Sequence, residues 1–214
     1  MLYFIGDYTG YDFVIVALAY ILVIVLSLSL HEFAHAYAAY KSGDTTPKMQ
    51  GRVSINPFKH MDAIGFICCA LFGFGWARPV QYNPNNFRNI KKGVAWTSIA
   101  GVLMNLLLAF VGCGLYYVSI FITVPYLSVF LQQFFFYLFF INVSLAVFNF
   151  LPIYPLDGFK FVENFTRYGN GYVNFMYKYG NLVLLLVLVF ADRWLLWLIS
   201  YVALPIQYFW QLIF

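Results

Sequence analysis

Residues 11–37 read YDFVIVALAYILVIVLSLSLHEFAHAY. From Tyr11 to Leu30 the run is almost wholly apolar, and it is as long as the roughly 20 residues a helix needs to cross a bilayer. The helical pattern continues through His31-Glu32-Phe33-Ala34-His35 toward Gly43, so one helix carries both the span and a cluster of ionisable side chains. A charge at mid-depth costs roughly 2.5–3.5 kcal/mol on insertion scales, which makes a stray glutamate there an expensive accident.

The composition agrees with a membrane-embedded chain. Of 214 residues, 63% are hydrophobic, 22% aromatic and only 9% charged, against about 25% charged in a soluble domain. A soluble globule, a disordered chain and a coiled coil are all excluded. The formal net charge is +4, but the 12 Lys and Arg are spread over short loops, which fits membrane orientation and gives no reason to expect nucleic acid. Cys68, Cys69 and Cys113 lie in apolar stretches without a CxxC pair. Met1 to Asp12 has Asp7 and Asp12 but no Lys or Arg, so it lacks the basic start of a secretory signal, and the first span is expected to stay in the mature protein.

Charge asymmetry orients the spans. The polar run from Lys41 to His60 carries Lys41, Lys48, Arg52 and Lys59, whereas no basic residue precedes the first span. The N-terminus is therefore expected outside and this loop in the cytoplasm. Within the loop, Gly51-Arg52-Val53-Ser54-Ile55 alternates weakly and reads as a short strand. Ala63 to Trp76 is apolar but short, contains Gly65, Gly73 and Gly75, and is followed by Arg78, Arg88, Lys91 and Lys92; basic loops on both sides imply that the chain dips in and returns. Gly93 to Val124 and Val129 to Phe150 are clear spans, joined by a charge-free outer turn at Pro125. That parity returns Leu151 to the cytoplasm, where Lys160, Arg167 and Lys178 agree with it. Asn181 to Phe190 is apolar again, and Trp194 to Phe214 is long enough to cross or to lie along the interface.

Histidines four apart on a helix share a face and can grip one Zn²⁺, while Glu32 beside them can reach a water on the metal as a base. Zinc at a catalytic site usually has three protein ligands. Asp157, in Asn149-Phe150-Leu151-Pro152-Ile153-Tyr154-Pro155-Leu156-Asp157-Gly158, is the aspartate that parity returns to the histidines' side directly after a span. Pro152 and Pro155 forbid a regular helix there, and non-helical backbone at that depth is tolerated where it lines a cavity; the alternative is a plain interfacial turn. His60, in a basic loop, competes as a ligand but reads better as a surface or interface histidine. Asn105, Asn142 and Asn149 are polar groups in apolar helices that either bond a neighbouring helix or hold a substrate carbonyl.

The chain resembles the site-2 protease family of intramembrane zinc metalloproteases, in its compact bacterial and archaeal form. The resemblance rests on His31-Glu32-Phe33-Ala34-His35, on Gly101 to Asn105, and on Asn149 to Gly158, which follows the family's Asn-x-x-Pro-x-x-x-x-Asp-Gly pattern. Asn56-Pro57 and Gly75-Trp76-Ala77-Arg78-Pro79-Val80 are also similar to the compact group. The resemblance implies that His31, His35 and Asp157 bind zinc, that Glu32 is the catalytic base, and that Asn149 and Asn105 contact substrate. Val102 departs from the family, which often has Pro after the glycine. The PDZ or CBS domains of some relatives have no counterpart in these residues.

The expected architecture is an all-α polytopic membrane protein with about four to six membrane-inserted helical segments and a small cytoplasmic-side β element. Residues 1–214 would form one membrane-embedded metalloprotease domain, with Zn²⁺ near the cytoplasmic side of a prokaryotic cytoplasmic membrane. Its expected partners are the lipid bilayer and single-span membrane-protein substrates, cut by regulated intramembrane proteolysis. The rival readings are a metal transporter, which would need ligands at successive depths, and a non-proteolytic zinc-binding membrane protein, which would not need Glu32. A serine intramembrane protease is excluded because Gly-x-Ser-x-Gly is missing.

Overall fold

A computed structural model describes residues 10–72, 76–167 and 169–214, without the side chains of residues 69, 70 and 72. Asp7 of the N-terminal reading and Gly73 and Gly75 of the dip lie outside the described residues. Helix α1 (Tyr11–Ser42) has 32 residues, about 48 Å at 1.5 Å per residue, against about 30 Å of bilayer hydrocarbon. His31 lies about 30 Å from Tyr11 by the same rise, a distance equal to one core thickness. Gly43 ends the helix in the left-handed region, φ 119°.

Downstream lie α2 (Thr46–Met49), α3 (Ala63–Phe72), α4 (Ile90–Ser119), α5 (Leu127–Phe150), α6 (Asp157–Phe165), α7 (Gly171–Phe190) and α8 (Asp192–Gln211). The chain is thus an all-helical integral membrane protein, and α1, α4, α5 and α7 are each long and apolar enough to cross a bilayer. Helices α1, α4 and α5 pack on one another as the central layer. Small residues let them approach: a side chain on Gly112 of α4 would meet the backbone nitrogen of Phe139 at 2.9 Å. Asn142 of α5 ties the layer together by donating to Ser27 Oγ of α1 at 2.8 Å, the bland role open to an intramembrane asparagine.

One end of this layer gathers the polar connections that follow α1, precede α4 and lead into α6. Buried Asp44, just past α1, accepts from Asn83 N at 2.7 Å, Asn86 Nδ2 at 2.8 Å and Thr46 at 2.6 and 3.0 Å, and so clamps the end of α1 to the loop that enters α4. Burial alone would raise this carboxyl, but those donors hold it below its ordinary value. Asn164 of α6 donates to Lys91 O at 2.7 Å, which brings α6 to the same end. The opposite turn, residues 120–126, carries no charge.

The two flanks of the expected dip lie together. With 10 residues α3 rises only about 15 Å, and the chain meets itself on both sides of it: Arg78 N donates to His60 O at 2.8 Å, and Met61 and Ala77 form an antiparallel bridge. The β element is not found: among the described residues there is no sheet, and residues 51–55 form a turn and bends. Gly51 takes φ 69°, which breaks the pleat. The Arg52 guanidinium donates to the Lys59 and Pro79 carbonyls, so side chains rather than a strand ladder organise this loop. His60, expected at the surface, is fully buried and bonds Ser54 O at 2.6 Å.

At the C-terminal side, Leu151, Ile153, Leu156 and Phe159 pack with Met176 of α7 and with Leu195 and Leu198 of α8. Helix α8 then runs along the central layer, where Ala203 joins Ala109, Cys113, Phe139 and Val143. Trp210 donates to Phe110 O at 2.9 Å and Phe214 stacks on Tyr117, so α8 reaches the same far end as α4.

Candidate metal centre

The turn between α5 and α6 decides where Asp157 goes. Pro152 cannot continue α5, which ends at Phe150, and α6 starts at Asp157 itself, where a carboxylate suits the positive helix start. Gly158 permits this abrupt re-entry: a Cβ there would lie 2.2 Å from Phe150 O and 2.6 Å from Leu151 O. The turn delivers Asp157, 6% exposed, onto α1 opposite the two histidines.

There the Nε2 atoms of His31 and His35 are 3.0 Å apart, and Asp157 Oδ2 lies 3.2 Å from the first and 2.9 Å from the second. A tetrahedral zinc with bonds of about 2.0–2.1 Å holds its ligand atoms about 3.3 Å apart, so this triangle has the size of one face of a zinc site. The three buried side chains are the cluster of metal-ligating type found among the described residues. His35 Nδ1 bonds the Thr97 carbonyl at 2.6 Å, and a carbonyl only accepts, so the ring proton sits on Nδ1 and Nε2 is free to bind a metal. Gly101 gives both rings their room. A Cβ on it would sit 2.4 Å from His31 Cε1 and from His35 Nε2.

Glu32, half-buried, lines a cavity of about 40 Å³ together with His35, Val80, Tyr82, Asp157 and Lys160. That is room for a water or two. Val80 N donates to Glu32 Oε2 at 3.1 Å, which fixes the carboxylate in the cavity wall. Burial pushes the Tyr82 phenol up, so it stays a neutral donor.

Of the sequence candidates, the fold brings together His31, Glu32, His35 and Asp157. His60 bonds Ser54 O within its own loop and is not part of the cluster. Asn149 commits its amide to Leu145 O at 3.0 Å, and neither it nor Asn105 lines the cavity. Asn105 is fully buried, with neither side-chain polar atom hydrogen-bonded. The sequence reading passes over Thr97 and notes Val80 only within the Gly75–Val80 stretch, without a role; both act through backbone atoms and leave no side-chain signal. It uses Lys160 only as a topological charge, although its spacing of three from Asp157 was there to read.

The profile of Peptidase family M50 matches residues 117–190. A Bacillus subtilis protein named as a zinc metalloprotease, YwhC, is 41% identical over 152 residues, covering 70% of this chain and 69% of its own length. A second, named as the zinc metalloprotease Rip2 of Mycolicibacterium smegmatis, is 34% identical over 152 residues, covering 67% of this chain and 57% of its own length. No solved structure matches the chain.

Proposed function

From the premise that this chain belongs to peptidase family M50, the site-2 protease family of zinc metallopeptidases, we propose that it hydrolyses peptide bonds in or near the transmembrane helices of single-span membrane proteins, in regulated intramembrane proteolysis. The observation that carries this reading is the His31, His35 and Asp157 triangle, two of whose members, His35 and Asp157, line a cavity together with Glu32.

His31 and His35 would hold the zinc through Nε2 and Asp157 through Oδ2. When bound, zinc supplies Lewis acidity that acidifies water and polarises a carbonyl. Glu32 takes the proton of the attacking water and later returns it to the leaving amine nitrogen. Val80 N–H keeps Glu32 aimed during both transfers. Asn105 is the better placed of the two asparagines to donate to a developing oxyanion: its amide has no partner, and Gly101, one turn away on the same face of α4, lies against both imidazoles. A substrate helix must unwind before cleavage, because its carbonyls are engaged in its own hydrogen bonds.

The basic loops support a site near the cytoplasmic side. Lys41, Lys48, Lys59, Arg88, Lys91 and Lys92 flank the end of α1 and the start of α4, while the far turn is uncharged. Incubating the purified protein in detergent with single-span membrane proteins, with and without a chelator, tests the activity. Chelator-sensitive cuts in or beside the span are expected; cuts that survive the chelator would contradict the mechanism.

A further inference from the structure

Asp157 uses its two carboxylate oxygens on different partners. Oδ2 faces both imidazoles, whereas Oδ1 accepts from Lys160 Nζ at 3.2 Å, one turn further along α6. The lysine side chain is 44% exposed and the carboxylate only 8%, so the ammonium stands at the cavity edge while the carboxylate it holds is inside. Lys160 is also the basic side chain among those that line the cavity, where Glu32 and Asp157 bring two carboxylates together.

Resting on the reading of Asp157 as a zinc ligand, we propose that Lys160 is a positioning residue for the metal centre. It holds Asp157 Oδ1 away from the metal, so that Asp157 binds through Oδ2 alone and a coordination position stays open beside Glu32. A carboxylate released from such a partner can swing both oxygens onto one ion and occupy the position that the reaction needs. Outer partners of this kind typically matter about 10–100-fold for metal affinity or activity.

The test compares wild type, Lys160→Met, Lys160→Arg and Asp157→Ala, purified in detergent and matched for helicity and monodispersity. Zinc affinity is read by competition with a chromophoric chelator, and cobalt-loaded protein is read by its visible absorption, which is strong for four ligands and weaker for five. Lys160→Met is expected to bind zinc at least as tightly as wild type, to lose cobalt band intensity as the second Asp157 oxygen joins the ion, and to lose about 10–100-fold in kcat with little change in KM. Lys160→Arg is expected to restore the band intensity and kcat. Should the Met variant fail to fold, Lys160→Gln, polar but uncharged, takes its place in the same comparison. A wild-type cobalt spectrum and kcat in Lys160→Met or Lys160→Gln, with a raised KM alone, would overturn the proposal and make Lys160 a substrate contact. Full zinc retention in Asp157→Ala would overturn the reading on which it rests, and the proposal with it.

Discussion

Asp157 Oδ2 lies 2.9 Å from His35 Nε2, although α4, α5 and the loops around them separate the two residues in sequence. The contact exists because the Pro152–Gly158 turn folds back onto α1 after two antiparallel helices have returned the chain to its starting side. A buried carboxylate against two imidazoles is costly unless the three share a cation or a proton. The expected outcome is about one zinc per chain in wild-type protein, lost in His31→Ala, His35→Ala or Asp157→Ala, as read by elemental analysis of purified samples. Zinc retained in the Asp157 variant would remove that residue from the ligand set.

Gly101 offers a test by addition rather than removal. Alanine is the better helix former by about 1 kcal/mol, so Gly101→Ala should leave α4 intact. Its new Cβ, however, would stand 2.4 Å from both imidazoles. Helicity and elution volume should match wild type while zinc content and cleavage fall together; normal zinc content would show that the rings can give way.

The parts of this account that the sequence made visible are the local ones. The first span and the histidine pair on it follow from composition and a spacing of four, and Asp157 follows from counting crossings, since only a chain that crosses twice after α3 can return Leu151 to the histidines' side. What stayed hidden depends on packing. Thr97 and Val80 contribute backbone atoms, which any residue type would supply. Lys160 is in place only because α6 starts at Asp157 itself, and two prolines gave no reason to begin a helix there. Residues 51–55 misled because weak alternation resembles a strand, whereas the carbonyls around them are capped by Arg52 and His60. His60 misled because its basic neighbours suggested solvent, yet it lies beneath the loop they belong to.

The gathering of the polar loops at one end predicts their sidedness. Cysteines at Lys48 and Arg167 should react with a membrane-impermeant reagent only once the cytoplasmic face is opened, and one at Ser128 should react from outside. Labelling of Lys48 and Arg167 from opposite faces would separate α6 from α1 and contradict the site.

His60 predicts a pH dependence. Burial lowers its pKa below the ordinary 6.5, and the charges of Arg52 and Lys59 act in the same direction against that of Glu32 and the bond to Ser54 O. The unfolded chain therefore takes up this proton at a higher pH than the folded one, so stability is full above 6.5 and declines as pH falls from there toward the folded value. Thermal midpoints in detergent should drop between about pH 7 and about pH 5.5, and drop less in His60→Gln than in wild type. Equal slopes would mean that His60 titrates normally.

The central claim is that Glu32 moves the proton in peptide hydrolysis while His31, His35 and Asp157 hold the metal. Glu32→Gln preserves the side chain's shape and its ability to accept from Val80 N–H but removes the base. The decisive measurement is cleavage of a single-span substrate by wild-type and Glu32→Gln protein at equal, measured zinc content. The account predicts full zinc, intact substrate binding and a rate lower by about 10² to 10⁴; cleavage at the wild-type rate would contradict it.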